Sequence, residues 1–408
     1  MRSALGLRRT VTKKTRKHGD DLRGASRLVV EATQAVTGVV EAMHRTIAGG
    51  PDILGRPLEG PARLVTGLVY GSIRGVTKLV GTSLDVALGQ LAPLLGESVP
   101  GPERAAVQAA LNGVLGDYLV ETQNPLAMTM QLCHDGNPLV LEKRALREAL
   151  PDAGGKLLVL VHGSSMAVHQ WNRQGHDHGA ALARDLGYTP VYLRYNSGLH
   201  ISTNGREFAE QLERLVAEWP VPLDELVIVG HSMGGLVARS ACHVAEDLGH
   251  AWRKKLRKLV FLGSPHHGAP LERGGNWIEP ILGISRYSAP LSRLGRIRSA
   301  GVTDMRYGFV KDEHWNGRDR FEPSGDPRDL LALPDGVECY AIAGTLTPKD
   351  GPKLRSDGLV PVDSALGRHD KPELTLVFPE DHQWIGFAVG HMDLLSRPEV
   401  YDKLRSWL

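Results

Sequence analysis

One short motif in the sequence combines residues that can do nucleophilic chemistry. Residues 230–235, GHSMGG, follow a β-rich apolar run at 225–229 and overlap the start of a helical pattern at 233–248. A serine on a sharp turn between strand and helix carries its hydroxyl outward, and the flanking glycines leave room where the two elements cross. The first N–H groups of the helix can stabilise a negatively charged oxygen. We therefore predict Ser232 as a nucleophile and the backbone N–H of Met233 as an oxyanion donor.

The acid that such a serine requires is sought further along the chain. A serine hydroxyl needs a neighbouring base, and the base needs a carboxylate that orients it. In this strand–turn–helix arrangement, the acid and then the histidine follow the serine in the sequence. Asp350, Asp357 and Asp363 are candidates. Asp357 is preferred because it lies between predicted strands at 337–342 and 374–378, where the loop of a triad acid is expected.

Three downstream histidines compete for the role of the base. His369 precedes the predicted strand at 374–378 and comes too early. His382 and His391 both follow that strand. His391, in the sequence VGHMD, opens the last helical region, where the base is expected. We therefore predict His391, with His382, which is nearer to the strand, as the alternative.

A second oxyanion donor is expected in the loop after an early strand. Residues 156–162 form a short apolar run, and the run continues into Gly163, Ser164 and Ser165. We assign the backbone N–H of Ser164 as the second donor, and Gly163 lets the backbone approach the substrate closely. His162 and His231, which flank these donors, are interpreted as support for the loops.

The remaining motifs predict neither a metal, nor an organic cofactor, nor nucleic acid. His176 and His178 lack a third ligand at metal-binding spacing, and a polar helix start explains them. His266 and His267 are interpreted as pocket wall or structural support. Three cysteines are too few for a disulfide framework, and no phosphate-binding or dinucleotide-binding glycine loop is found. A net charge of +2 gives no electrostatic case for nucleic acid.

Strand and helix patterns alternate through most of the chain. Such alternation, with continuous apolar strands, predicts an α/β fold with a mostly parallel sheet and helices on both faces. A connection as long as residues 265–336 predicts an inserted cap or lid. Residues 128–133 and 138–142, separated by HDGN, predict a hairpin. Further strands are predicted at 156–162, 191–195, 225–229, 258–262, 337–342 and 374–378, and helices at 178–186, 205–219, 233–248 and 399–408.

The first part of the chain differs from the rest in its amino-acid composition. Of the 22 Phe, Trp and Tyr residues, only Tyr70 and Tyr118 fall within the first 150 positions. Residues 1–20 predict a basic flexible tail without the apolar segment of a secretory signal. Residues 21–125 predict a helical extension in which charges interrupt every apolar window before it could span a membrane. We expect a cytoplasmic protein, and the tail can contact an anionic membrane surface.

Taken together, these residues resemble a known superfamily. VHG at 161–163, GHSMGG at 230–235, GSPHHG at 263–268, SDG at 356–358 and GH at 390–391 look like a serine hydrolase of the α/β-hydrolase superfamily. Within it, they resemble lipases and GPI inositol-deacylase-like esterases. The resemblance covers residues 126–408 and implies an α/β-hydrolase fold in that segment, which we take as the catalytic domain. It implies Ser232 as nucleophile, Asp357 as acid and His391 as base, without a cofactor.

The expected activity is hydrolysis of a carboxylic ester or lipid-like small molecule through an acyl-enzyme. Acyl transfer or amide hydrolysis would use the same three residues. A third alternative is a non-catalytic, membrane-associated scaffold that keeps the hydrolase fold. The natural substrate and the oligomeric state do not follow from superfamily membership.

Overall fold

The computed structural model describes residues 101–268, 299–318, 326–349, 351 and 355–408. The basic tail, the helical extension up to residue 100 and much of the predicted cap lie outside these ranges. The chain divides into two compact units, Met1–Val107 and Gln108–Leu408. In the part described, no helix is long and apolar enough to cross a membrane.

A mixed sheet forms the centre of the second unit. Within the described residues, its eight strands lie in the order β2-β1-β4-β3-β5-β6-β7-β8. The predicted hairpin is confirmed as β1 and β2, and β1 also runs antiparallel to β4. All other neighbouring strands are parallel. The strands are β1 Gln131–His134, β2 Asn137–Pro138, β3 Lys156–Val161, β4 Thr189–Arg194, β5 Glu225–His231, β6 Leu256–Leu262, β7 Glu338–Thr345 and β8 Gln383–Phe387.

The helices follow the predicted alternation. Asp177 caps one of them by accepting a hydrogen bond from the N–H of Ala180, and left-handed glycines at 187 and 249 end two of them. The described helices are α1 Pro102–Glu121, α2 Lys143–Ala149, α3 His178–Leu186, α4 Ile201–Ala217, α5 Met233–Leu248, α6 Ala300–Asp304, α7 Val362–Ala365 and α8 Pro398–Trp407.

The core explains why the central strands are apolar throughout. Leu158 and Leu160 of β3 pack in one buried cluster with side chains of α3 and α8. The alternate residues Leu157 and Val159 are also completely buried, on the face that α5 covers. A strand covered on both faces cannot alternate polar and apolar residues, so it reads as a continuous apolar run.

One predicted strand is wrong. Residues 374–378 do not join the sheet, and β8 lies at Gln383–Phe387, paired in parallel with β7. In the earlier segment, Phe378 is buried against Phe261, with ring centroids 5.9 Å apart, whereas Val377 is 82% exposed. The buried side chains of this segment, Leu374, Leu376 and Phe378, pack beside the sheet, and its backbone does not pair with a strand. The correction places His382 before the last strand and His391 after it.

Candidate active site

Ser232 occupies the turn between β5 and α5. Its backbone has φ 53° and ψ −125°, a strained conformation for a residue with a side chain. The N–H of Ser232 donates to the carbonyl of Leu262 at 2.8 Å. A Cβ on Gly230 would lie 2.5 Å from Gly235 Cα, and one on Gly234 would lie 2.6 Å from His162 O. Glycines are therefore required where strand and helix cross.

Asp357 and His391 form a buried pair with two connections. The Nδ1–H of His391 donates to Asp357 Oδ2 at 2.7 Å, and the His391 backbone N–H donates to the Asp357 carbonyl at 2.9 Å. The N–H groups of Leu359 and Val360 donate to Asp357 Oδ1 at 2.9 and 2.8 Å. Since the carboxylate only accepts, the His391 proton in this bond lies on Nδ1, and the bond leaves Nε2 unused.

The structure brings this pair to the same edge of the sheet as Ser232. Leu262 accepts the N–H of Ser232, and a Cβ on the next residue, Gly263, would lie 3.1 Å from Asp357 Oδ2 and 3.3 Å from His391 Nδ1. This is the carboxyl edge of the parallel strands, where α/β folds place their ligand sites.

His231 connects the serine turn to the predicted base. Its Nε2–H donates to the His391 carbonyl at 3.2 Å, and the two rings lie 4.7 Å apart. Burial, and secondarily the neighbouring His391, holds the pKa of His231 well below its ordinary value. A neutral His231 can therefore hold the His391 backbone without placing a positive charge beside the His391 ring.

The loop that carries Ser164 lies next to the serine. A Cβ on Gly163 would be 3.1 Å from Ser232 Cβ and 3.1 Å from His231 Nδ1. Ser164 is buried, and the N–H of the following residue, Ser165, donates to Ser197 Oγ at 2.9 Å. On the serine side, Met233 opens α5, so its N–H has no carbonyl four residues back within the helix.

His162 contacts the same loop and the residue that follows β4. Its Nδ1–H donates to the Gly163 carbonyl at 2.8 Å, and its ring stacks on Tyr195 at 4.5 Å. The hydroxyl of Tyr195 donates to the His162 carbonyl at 2.8 Å. Burial lowers the pKa of His162 to about 4. These contacts fit the supporting role predicted for this residue.

The competing candidates lie elsewhere. His382 precedes β8, and its Nδ1–H donates to the Cys339 carbonyl at 3.1 Å, at the opposite end of the strands. His369 lies 3.9 Å from a carboxylate oxygen of Asp326. Asp363 is exposed and pairs with Arg368 at 3.7 Å. Asp350 lies outside the described residues.

Metal-binding clusters are not found in the described ranges, where no three His, Cys, Asp or Glu side chains converge. The Nε2–H of His178 donates to the Leu394 carbonyl at 2.9 Å, and His176 binds His178 Nδ1 at 2.8 Å. Arg239 contacts His266 Nδ1 at 3.2 Å, and His267 binds the carbonyl of Gly367 at 2.9 Å. These histidines therefore hold protein segments together.

The buried histidines predict a loss of stability in acid. Burial lowers the pKa of both His162 and His178 to about 4 from an ordinary value of 6.5. The unfolded chain takes up these protons first, so their stabilisation is complete above pH 6.5 and falls as the pH drops toward 4. At pH 5, each group should cost about 2 kcal/mol of unfolding free energy.

Urea unfolding at pH 7.5 and pH 5 measures this loss. The variant His178→Gln should show a shallower decline with pH, because one of the titrating groups is gone. An unfolding free energy that stays flat between the two pH values would contradict neutral buried imidazoles.

With the geometry described, the chain can be compared with known proteins. Residues 152–288 match the family of the PGAP1-like alpha/beta domain. The sheet and the helices that cover it have the α/β-hydrolase fold. The predicted fold class is thereby confirmed for the sheet and its helices, and the predicted resemblance is confirmed as a similarity, while the helical extension lies largely outside the described residues. No curated protein matches the chain.

Solved structures that resemble this fold include enzymes from three organisms. The mature lipase BlEst2 of Bacillus licheniformis is 16% identical, with a TM-score of 0.42 over 68% of this chain and 97% of its own. The esterase Pf2001 of Pyrococcus furiosus is 14% identical, with a TM-score of 0.36 over 63% and 80%. The phospholipase PlaB of Legionella pneumophila is 16% identical, with a TM-score of 0.34 over 52% and 45%.

The structure also shows a residue that the sequence interpretation missed. Ser197 accepts the N–H of Ser165 and so fixes the peptide that follows Ser164. It lies in Asn196-Ser197-Gly198, directly beyond β4. A polar turn after a buried parallel strand is the signal that could have indicated it, because all such turns meet at the carboxyl edge of the sheet.

Proposed function

We propose that the protein is a serine hydrolase that cleaves carboxylic esters through an acyl-enzyme. The observation that supports this most directly is the buried Asp357–His391 hydrogen bond of 2.7 Å beside a serine in a strained turn. Ser232 is the nucleophile, His391 the base and Asp357 the acid that orients the base.

The first half of the reaction follows from the proton positions. Ser232 Oγ attacks the ester carbonyl carbon, and its proton moves to the unprotonated Nε2 of His391. Asp357 keeps the other proton on Nδ1 and stabilises the imidazolium. His391 then donates the Nε2 proton to the leaving alcohol as the tetrahedral intermediate collapses to the acyl-enzyme.

The oxyanion is held by the N–H groups of Met233 and Ser164, and a donor of this kind contributes about 3 kcal/mol to the transition state. In the second half, water gives a proton to His391 Nε2 and attacks the acyl carbon. The collapse of this intermediate releases the carboxylic acid and returns the proton to Ser232. No metal or organic cofactor takes part in any of these steps.

An ester with an apolar part fits the surface beside His391. The Leu346 side chain is 60% exposed, and it lies 3.5 Å from the position of a Cβ on Gly390 and 3.4 Å from one on Gly358. Hydrolysis rates for a series of acyl chain lengths, with and without a lipid interface, would define the substrate class. Product analysis with competing alcohols and amines would separate hydrolysis from acyl transfer.

The exchange Asp357→Asn tests the proposed acid. Asparagine can still bind the amides of Leu359 and Val360, but it lacks the charge that stabilises the imidazolium and it can impose the wrong tautomer. We expect kcat to fall roughly 10⁴-fold with the fold intact. Steady-state kinetics on a short-chain ester, with circular dichroism as a check of folding, measure both quantities.

The matched control is Asp363→Asn, since Asp363 is an exposed aspartate six residues further along the chain. Its kcat should equal that of the wild type. A large loss in this control, together with full activity of Asp357→Asn, would show that the acid has been assigned to the wrong residue.

A further inference from the structure

Helix α1 packs directly against the loop of the proposed second oxyanion donor. A Cβ on Gly113 would lie 2.8 Å from Ser165 Cβ and 2.9 Å from Ser165 Cα, closer than side-chain atoms can approach. Ser165 directly follows Ser164. The backbone of α1 at Gly113 therefore packs directly against Ser165, the residue that follows the Ser164 N–H.

A second contact fixes the same loop from the side. The Asn196 Nδ2–H donates to the Gly116 carbonyl of α1 at 3.0 Å, and a Cβ on Gly198 would lie 2.7 Å from the Gly116 nitrogen. Between these residues, Ser197 Oγ accepts the N–H of Ser165 at 2.9 Å. The 196–198 turn thus transmits the position of α1 to Ser165.

The backbone of Ser165 shows that this support is needed. Its φ of 59° lies in the left-handed region that favours glycine. Such a conformation persists in other residues only when the surroundings enforce it. The wall of α1 on one side and the Ser197 hydroxyl on the other are the groups that enforce it here.

Helix α1 is also anchored by Ser299 and Ala300. The hydroxyl of Ser299 donates to the Gly113 carbonyl at 2.6 Å, and the N–H of Ala300 donates to Asp117 Oδ2 at 3.0 Å. The same segment also binds the 196–198 turn, because the Gly301 N–H donates to the Gly198 carbonyl at 3.1 Å. These bonds hold the helix in place, so an enlarged side chain at position 113 presses on Ser165.

We propose that residues 108–121 of α1 are a positioning element for the oxyanion hole, acting through Gly113 on Ser165 and through Ser197 on the Ser165 N–H. This inference rests on the proposed function, because it assigns the Ser164 N–H to the oxyanion. A small displacement of that donor weakens a hydrogen bond that matters most in the transition state, so kcat is affected rather than substrate binding.

The test is the variant Gly113→Ala in the full chain. Alanine is a better helix former than glycine, so a loss must come from the contact with Ser165. We expect kcat per titrated active site to fall roughly ten- to a hundredfold, below the loss for removing a donor outright, with KM little changed. The inhibition constant of an alkyl boronic acid, whose tetrahedral serine adduct occupies the oxyanion hole, should rise by a similar factor.

Two further variants make the result specific. Gly154→Ala is the control, because a Cβ there would meet nothing closer than the Gly187 carbonyl at 3.8 Å; its kcat should be unchanged. In the double variant Gly113→Ala/Ser165→Gly, the colliding side chain is absent and the left-handed backbone suits glycine, while the contact of 2.9 Å with the Cα of residue 165 remains, so kcat should recover in part. If Gly113→Ala does not fold, Ser197→Ala, which removes the acceptor of the Ser165 N–H, should show the same paired change in kcat and boronate inhibition.

The outcomes separate this inference from the proposed function. Wild-type hydrolysis that disappears in Ser232→Ala, together with unchanged kcat and boronate inhibition in folded Gly113→Ala, would overturn the positioning role alone. A drop in the titrated fraction of active protein without a change in kcat would show that α1 contributes to stability only, and it would overturn the role as well. Absence of hydrolysis in the wild type would overturn both proposals.

Discussion

Replacing Ser232 by alanine should lower kcat roughly 10⁶-fold and abolish covalent labelling by a fluorophosphonate. The hydroxyl carries the oxygen that bonds to the substrate carbon, and alanine offers no nucleophile in the strained turn between β5 and α5. Only the catalysis supplied by the oxyanion donors and by substrate binding should remain. Gel fluorescence and single-turnover kinetics measure the two effects.

Ser264→Ala is the matched control for this experiment. Ser264 is a buried serine that follows β6 at the same edge of the sheet. It lies in similar surroundings to Ser232 but outside the strained turn between β5 and α5. Labelling of this variant should match the wild type. Equal labelling of Ser232→Ala and the wild type would show that the probe reacts elsewhere and that the nucleophile is misassigned.

The exchange His391→Gln should reduce kcat by a comparable factor, roughly 10⁶-fold. Glutamine can keep a donor toward Asp357, but it has no basic nitrogen that accepts the Ser232 proton. The residual rate should lose the dependence on an ionising base that the wild type shows in its pH–rate profile. Kinetics between pH 5 and pH 9 on one short-chain ester provide this comparison.

The rival histidine supplies the control. In His382→Gln, the amide can replace the imidazole as donor to the Cys339 carbonyl, a bond of 3.1 Å in the native protein. Activity and pH profile should both be retained. Full activity in His391→Gln together with a collapse in His382→Gln would reverse the assignment of the base.

Much of this site could be predicted because its parts are local in sequence. The GHSMGG motif carries its own explanation: Gly230 and Gly234 are required by a crossing that a Cβ would obstruct at 2.5 and 2.6 Å. The central strands were recognisable for a similar reason, since burial on both faces makes them apolar throughout. Strand β3 and helices α3 and α5 begin at the predicted residues.

The last strand could not be predicted in the same way. Residues 374–378 are more apolar than QWIGF of β8. The pattern of apolar residues indicates which side chains are buried, and it does not indicate which segment pairs with a strand. Phe378 is buried by contact with Phe261 beside the sheet, whereas β8 takes its place through backbone bonds to β7. Hydrogen bonding between strands leaves no mark on side-chain composition, so the sequence pattern favoured the wrong segment.

The contact between α1 and the loop at residues 163–165 could not be predicted, for a different reason. Gly113 and Ser165 are far apart in the chain, and each has a sufficient local explanation as a small helix residue or a loop serine. The contact between them exists only in the folded protein, where the helix lies on the loop. The predicted boundary at residue 125 follows a helix whose residues 108–121 already pack against the loops that carry Ser165 and Asn196. The cap at 265–336 and the membrane contact of the tail stay predictions.

Asp357 and His391 are joined by one backbone hydrogen bond and one hydrogen bond through the carboxylate. The first depends on the shape of the loop, and the second depends on the side chain at position 357. The bond of 2.9 Å joins backbone atoms and does not involve the carboxylate, and an amide oxygen could bind the same two backbone N–H groups as the carboxylate. The shape of the loop therefore does not demand an aspartate; proton handling does. A descendant of this protein that kept the fold only as a scaffold could drift to asparagine at position 357 without structural cost, so that one position would record whether a lineage still performs the reaction.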